Sequence, residues 1–337
     1  MHMRVSAGLP TGMEGLTYPI PFSDPEAVIR IAQHAEKLGY HSVWGNDHMT
    51  TQNYVRAEFE TPPRFWEPLV TYAFVAAETT TLRFGTGILV LPMRHDIVVT
   101  AKQLCTLDHF SGGRLEIGVG IGAYREEFLA LQPGTKTPRG KIVDEGIPAL
   151  QALLTDRVAS FEGEYYAYND VELYPKPKQD HVPFYIGGNN ANNLSRVAKW
   201  GDGWLPAAIH LDQVRDSVSA LKDLTEAEGR NFDDIEVAPQ YIVHIGKTRE
   251  AAIESFSKTQ MCAHLTSLRQ STLKGQGTLG HEDINLIGTV DDVVERANQL
   301  GEAGVTHLLG LYFAANDITE LLDQMQIFAE EVVPRLD

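Results

Sequence analysis

The chain has 337 residues, 28 Lys+Arg against 45 Asp+Glu, a formal net charge of −17, and 43% hydrophobic and 22% charged residues. That balance suits a globular protein with a large core, and an acidic excess without any Lys/Arg block excludes nucleic acid and anionic membrane surfaces as partners. Two cysteines, Cys105 and Cys262, make no disulfide framework; the lack of a signal peptide and of any long apolar run predicts a soluble, cytoplasmic protein with Met3 as its natural start.

Residues 4–8 read as a short strand ending at Gly8-Leu9-Pro10. Asp24-Pro25 then opens a helix through Ile29, Ala32, Ala35 and Leu38, with Gly39 as its stop. Ser42-Val43-Trp44 is the second strand and runs into Gly45-Asn46-Asp47-His48. After a loop rich in polar residues and prolines, Glu67-Pro68 begins a helix through Leu69, Tyr72 and Ala76, which leads to a third strand at 82–85 and a helix at 96–107. Ser111-Gly112-Gly113 supplies a turn, and residues 114–119 form the fourth strand. It stops in Gly118, Gly120 and Gly122, three missing β-carbons where backbone must pass something bulky or flat.

The acidic, aromatic run 124–128 follows, then a helix at 139–154 and a β-rich excursion at 161–177 full of tyrosine and proline. Residues 183–187 are the fifth strand, 189–200 its helix, 203–205 the sixth strand and 211–228 the next helix. The seventh strand spans 235–245 and a helix 248–257; residues 261–286 read as a glycine-rich insertion with few core positions, a candidate lid. A helix at 290–300, a strand at 307–311 and a helix at 317–330 close the chain. Eight strands alternating with helices predict a (β/α)8 TIM barrel of class α/β, a single domain over 3–337 with insertions at about 155–182 and 261–288. An open doubly wound sheet is the alternative. Gly118, Gly120 and Ala123 also satisfy G-x-G-x-x-A, but Asp144, at the distance where a dinucleotide fold needs an acid after its second strand, falls on a helix.

A barrel builds its site at the carboxyl ends of its strands. Those ends carry Asn46-Asp47-His48, Gly87-Ile88, residues 120–124, and Gly187-Gly188-Asn189-Asn190. His48 follows an acid at a strand end, so Asp47 is expected to fix its tautomer, with His48 as general acid or base or as a group set against a cofactor ring. The plainer alternative is a histidine that packs behind the second strand. Small and amide residues at 187–192 open a helix, where free N–H groups suit a phosphate; a Gly-Asn turn with an asparagine cap is the simpler reading. No H-E-x-x-H or paired-cysteine spacing occurs, which predicts no metal. No G-x-S-x-G occurs, and no strand end carries the lysine that a Schiff-base aldolase would need. Trp66, Tyr124, Tyr165 and Tyr166 suggest an apolar or aromatic pocket.

Taken in order, D-H after the second strand, G-T-G-I-L at 85–89, T-L-D-H-F-S-G-G-R-L at 106–115, the glycine run followed by E-F at 118–128, G-G at 187–188 and G-D-G-W at 201–204 resemble the bacterial luciferase-like oxidoreductases over nearly the whole chain. The resemblance implies a barrel that binds a reduced flavin (FMN) or the deazaflavin F420 against strands three to five, usually as a homodimer. By that likeness Gly87 and Ile88 form a bulge behind the ring, often with a cis peptide; Gly120 and Gly122 flank it; and Gly187, Gly188, Asn189, Asn190 and Ala191 take the phosphate. The glycine run with E-F resembles deazaflavin-dependent members, which favours F420 over FMN. Where the family's sugar-phosphate dehydrogenases carry a tryptophan and a glutamate, this chain has Gln52 and Ala123, which argues against glucose 6-phosphate as substrate.

The cofactor decides the reaction: a 5-deaza ring transfers hydride, whereas reduced flavin activates dioxygen. The expected activity is F420-dependent hydride transfer to or from a small organic substrate. The alternatives are an FMNH2-dependent monooxygenase served by a separate reductase, and a flavin-binding protein without turnover.

Overall fold

In the computed structural model, which describes residues 3–134, 138–268 and 280–336, strand and helix alternate from end to end. The first half runs β1 (Arg4–Leu9), α1 (Pro25–Lys37), β2 (Ser42–Gly45), α2 (Asn53–Glu58), α3 (Pro68–Glu78), β3 (Arg83–Thr86), β4 (Leu89–Val90), α4 (Ile97–Ser111), β5 (Leu115–Gly120), α5 (Arg125–Leu131) and α6 (Arg139–Thr155). The hairpin β6 (Ala159–Glu162) and β7 (Ala167–Val171) comes next. The second half runs β8 (Phe184–Gly187), α7 (Ala191–Trp200), β9 (Gly203–Leu205), α8 (Leu211–Ala227), β10 (Glu236–Val237), β11 (Ile242–Ile245), α9 (Arg249–Ser257), α10 (Gln260–Leu268), α11 (His281–Ile284), β12 (Leu286–Gly288), α12 (Val290–Glu302), β13 (His307–Phe313) and α13 (Ile318–Ile327).

The helix starts are where side chains satisfy the free amides of a first turn. Asp24 accepts from the Ala27 amide, Glu67 from Val70, Asp96 from Val99, Thr248 from Ala251, Thr289 from Asp292 and Asp317 from Glu320. Gly112 ends α4 at φ 79°, the left-handed conformation in which a β-carbon is unfavourable.

The large sheet is ordered β10-β9-β8-β5-β3-β2-β1-β13-β11-β12, and its pairs are parallel. β10 and β11 lie on one run of chain, so the sheet returns on itself and the barrel closes. Here the structure differs from a continuous seventh strand: Pro239, which has no N–H to donate, splits it, and β10 pairs with β9 while β11 pairs with β13. The Val237 carbonyl accepts from the Thr306 amide at 3.0 Å, the Pro239 carbonyl from Leu309 at 3.2 Å and Tyr241 from Tyr312 at 3.1 Å, which seals the join.

The second insertion also differs from expectation. Met261, Leu265, Ile284, Leu286 and Ile287 are buried, and β12 extends the sheet beside β11. What remains of the candidate lid, residues 269–279, lies outside the described residues. The first insertion contains the antiparallel β6–β7 hairpin, and Tyr166 beside it donates to the Leu91 carbonyl at 2.8 Å.

The barrel interior is layered. In the middle, Trp44 meets Tyr185 edge to face at 5.1 Å among Leu205, Ala238 and Leu309, and Gly85 leaves room for the indole. Near the strand starts the interior is polar. His307 bonds to Ser6 at 2.6 Å and Glu236 at 3.1 Å, and Glu116 takes Arg83 at 2.9 Å and His41 at 3.1 Å. No helix among the described residues is long and apolar enough to cross a membrane.

Candidate functional site

At the carboxyl ends of the strands lies a cavity of about 510 Å³, walled by the segments after β2, β3, β5, β8 and β9 together with Met13, Gln240, His264 and Tyr312. It gathers Asp47, His48, Gly87, Ile88, Gly122, Gly187, Gly188, Asn189 and Asn190 from the residues expected at the site. Gly120 and Ala191 do not line it. Of the four aromatics expected there only Tyr124 does; Trp66 is turned to the Ser23 carbonyl at 3.2 Å.

His48 is oriented by a residue other than the one expected. Its Nδ1 lies 2.9 Å from Glu127 Oε2, and Glu127, on α5, is itself buried and also accepts from the Met49 amide at 3.0 Å. A carboxylate only accepts, so Nδ1 carries a proton toward Glu127; the Gln52 side-chain amide lies 3.3 Å from the same nitrogen. Nε2 has no partner among the described residues, and His48 borders the cavity. Asp47 instead forms an ion pair with Arg94 at 2.7 Å and accepts from the Val90 amide at 3.0 Å. Burial works against the Arg94 charge, but Asp47 and Glu67 raise its pKa above the ordinary value. Successive side chains on extended backbone point opposite ways, so neighbours in sequence are poorly placed to bond each other. Asp47 therefore clamps β4 and the following turn against the end of β2, and the partner of His48 arrives from α5, the helix that follows β5.

The Gly87–Ile88 peptide is cis, and the Gly87 amide donates to the Gly45 carbonyl at 2.7 Å. The Ile88 side chain reaches into space that β-carbons on Gly120 and Gly187 would fill. Gly120 thus makes room for Ile88 rather than for a ligand, which is why it is absent from the cavity wall. Ile88 packs against both the barrel's inner cluster and a second one of Val90, Met93 and Phe128. Gly122, at φ 72°, turns the chain, and a side chain there would press on Val90 and Phe128.

After β8 the chain enters α7 through a bonded corner. Asn189 exchanges two hydrogen bonds with the Ala207 backbone, at 2.8 and 2.9 Å, and Asn190 caps the helix by accepting from the Asn193 amide at 3.1 Å. The asparagine cap of the simpler reading is therefore real. Yet the amides of Asn190, Ala191 and Asn192 have no partner among the described residues, which leaves a positive helix end facing outward. Gly188, at φ 128°, has no room for a side chain beside Asn193, so a residue introduced there disturbs the corner itself.

Two residues of this region carry no local signal in the sequence. Tyr54, on α2, lies 3.0 Å from His264 Nδ1, and His264, on α10, borders the cavity. Burial, with His48 adding to it, pushes the His264 imidazole down to about 4, so it is neutral at ordinary pH. Burial likewise pushes the Tyr124 hydroxyl up to about 12. Glu127 did have a signal, the E-F that follows the glycine run. Among the described residues no group of three or more His, Cys, Asp or Glu could hold a metal ion.

The chain is similar to known proteins in sequence and in fold. An uncharacterized protein of Mycobacterium tuberculosis is 32% identical over 171 residues, 50% of this chain and 59% of that protein, so the match covers about three fifths of that relative. An F420-dependent glucose-6-phosphate dehydrogenase of Amycolatopsis mediterranei is 25% identical over 93% of this chain and 95% of its own. Among solved structures, an F420-dependent secondary alcohol dehydrogenase superposes with a TM-score of 0.78 at 18% identity, covering both chains in full. A type II Baeyer-Villiger monooxygenase from Pseudomonas putida in complex with FMN does so at 0.79 and 16%, covering 100% of this chain and 99% of that one. These likenesses speak to the fold, a TIM-barrel-like α/β architecture. A family model described as luciferase-like monooxygenase matches residues 3–307, and the chain therefore belongs to that family of flavin- and F420-dependent oxidoreductases.

Proposed function

We propose that the protein is an F420-dependent oxidoreductase that moves a hydride between the deazaflavin and a small organic substrate, with His48 as the proton donor or acceptor at the reacting oxygen. The observation that carries this is the His48 imidazole, which borders the cavity and is anchored through Nδ1 on buried Glu127 at 2.9 Å, with no partner for Nε2 among the described residues. A neutral imidazole held so accepts a proton from an alcohol, and its protonated form returns one to a carbonyl.

The wall fits a flat ring. Ile88 and the glycine-bearing ends of β5 and β8 present backbone and one aliphatic side chain, and the free amides at the start of α7 suit a cofactor phosphate. When bound there, the deazaflavin would supply the site that gives or takes hydride. The protein's share is to orient the substrate, exclude water and hold the proton. The 25% identity with an F420-dependent dehydrogenase over 93% of the chain, with the glycine run ahead of E-F, supports F420 over FMN. FMN monooxygenases share the fold, so FMN is the competing cofactor, and that reading needs a separate reductase.

A homodimer is part of the proposal. α3 and α4 pack side by side and expose Val70, Phe74, Val99 and Phe110, an apolar face of the kind that a second subunit covers.

Fluorescence titration with F420 and FMN side by side tests the assignment. Tighter binding of F420 is expected. Micromolar binding of reduced FMN with none of F420 would reverse it and make oxygen-dependent monooxygenation the function. Light scattering should return twice the chain mass, and a monomeric mass would remove the dimer.

A further inference from the structure

Four rings form an arc at the cavity: His48 lies 5.5 Å from Tyr124, Tyr124 lies 6.3 Å from Tyr54, and Tyr54 stacks on His264 at 6.4 Å and 18°. One nitrogen of each imidazole is tied back, His48 Nδ1 to Glu127 and His264 Nδ1 to the Tyr54 hydroxyl at 3.0 Å. The other nitrogen of each has no partner among the described residues, and both residues border the cavity. A buried ring with one bonded edge leaves its second edge as a hydrogen-bonding group of fixed direction.

The charges at the cavity point the same way. Among the described residues lining it there is no lysine or arginine, and the one carboxylate, Asp47, is paired with Arg94. His264 is buried and kept neutral. A phosphate or carboxylate brought to the two imidazoles, which lie on other elements than the α7 amides assigned to the cofactor, would lose its water without gaining a cation, inside a protein of net charge −17.

We propose that His264, positioned by Tyr54, is a second substrate-contacting residue beside His48, and that the cavity accepts an uncharged molecule with a hydroxyl or carbonyl oxygen rather than a phosphorylated one. This deepens the oxidoreductase reading and rests on it. His48 takes the reacting oxygen; His264 sets which molecule is held. Tyr54 touches no substrate and acts through His264.

The test uses the full chain without cofactor, with histidine ring nitrogens labelled with 15N and followed by NMR, and cyclohexanone and glucose 6-phosphate as probes. Cyclohexanone should shift the ring signals of both His48 and His264, and glucose 6-phosphate at the same concentration should shift neither. Tyr54→Phe should move the resting His264 signal, leave that of His48 in place, and weaken cyclohexanone binding about tenfold, the size of one hydrogen bond. His264→Ala should weaken it at least as much, and His264→Asn should recover part of the loss, which a merely structural histidine would not. Glucose 6-phosphate shifting either ring, cyclohexanone moving His48 alone, or no response to cyclohexanone would each overturn the proposal. Because the readout needs no cofactor, failure to bind F420 would remove the assigned reaction and leave this measurement standing.

Discussion

Two histidine–carboxylate pairs sit at opposite ends of the same barrel, and they differ in what is left over. At the strand starts His307 spends both nitrogens, Nδ1 on Glu236 at 3.1 Å and Nε2 on Ser6 at 2.6 Å, and none of its surface is exposed. At the strand ends His48 spends only Nδ1, on Glu127 at 2.9 Å, and its side chain is 13% exposed. The chemistry of the two pairs is the same. A saturated pair holds strands together, whereas a pair with one vacant nitrogen at a cavity is available to a substrate.

The sharpest way to break this contrast is His48→Ala. Turnover should fall by about 100-fold or more, the range for a positioned acid or base, while cofactor affinity changes little because the wall and the α7 amides lie on other strands. Single-turnover rates, cofactor titration and melting on one preparation would decide; a destabilised but fully active variant would make His48 equivalent to His307.

The lower cluster should respond in stability instead. Burial pushes the Glu116 carboxyl up, but His41 and Arg83 outweigh it and hold the group at about 2, below its ordinary 4.5. A depressed folded-state value means stabilisation that is complete above about pH 4.5 and lost as pH falls toward 2. The loss is about 3 kcal/mol in denaturant titrations, on the linkage relation. His307→Ala, which takes one partner each from Ser6 and Glu236 and leaves a cavity in the barrel floor, should cost about 2 kcal/mol and leave the turnover of folded protein near wild type. A large loss of turnover with intact stability would contradict the division.

Smaller effects separate positioning from contact. Glu127→Gln keeps the shape and removes the charge that fixes the His48 tautomer, so kcat should fall about tenfold with KM nearly unchanged and the pH–rate profile displaced. An unmoved profile would leave Glu127 a packing residue. Smallest is Ala191→Glu at the exposed start of α7. A carboxylate there competes with the cofactor phosphate for the same amides and should weaken cofactor binding several-fold without lowering the melting temperature. Unchanged affinity would move the phosphate elsewhere.

The fold was legible because its signals are local. Asp24-Pro25, Glu67-Pro68 and Asp96 announce helices through bonds no longer than one turn, and the alternation of elements follows from them. The split seventh strand was half legible, since Pro239 stands in the sequence but its consequence depends on which neighbours β10 and β11 find. The site was legible as positions and illegible as bonds. Asp47 beside His48 looked like a pair because adjacency is all a sequence displays. The real partner is 79 residues away, and Tyr54 and His264 are 210 residues apart. No periodicity marks such contacts; they exist only once the barrel brings the ends of its strands together.

The seating of Ile88 against Gly120 and Gly187 has a consequence for how this protein can vary. Gly120 and Gly187 end two different strands and Ile88 sits in the turn after a third, yet they share one volume. A methyl added at either glycine collides with the isoleucine unless the isoleucine shrinks, so the fitness of each residue is conditional on the other two. Relatives should change these sites jointly or leave them alone, and Gly120→Ala should be far better tolerated in an Ile88→Ala background than by itself. The wall thus behaves in descent as one character spelled with three letters.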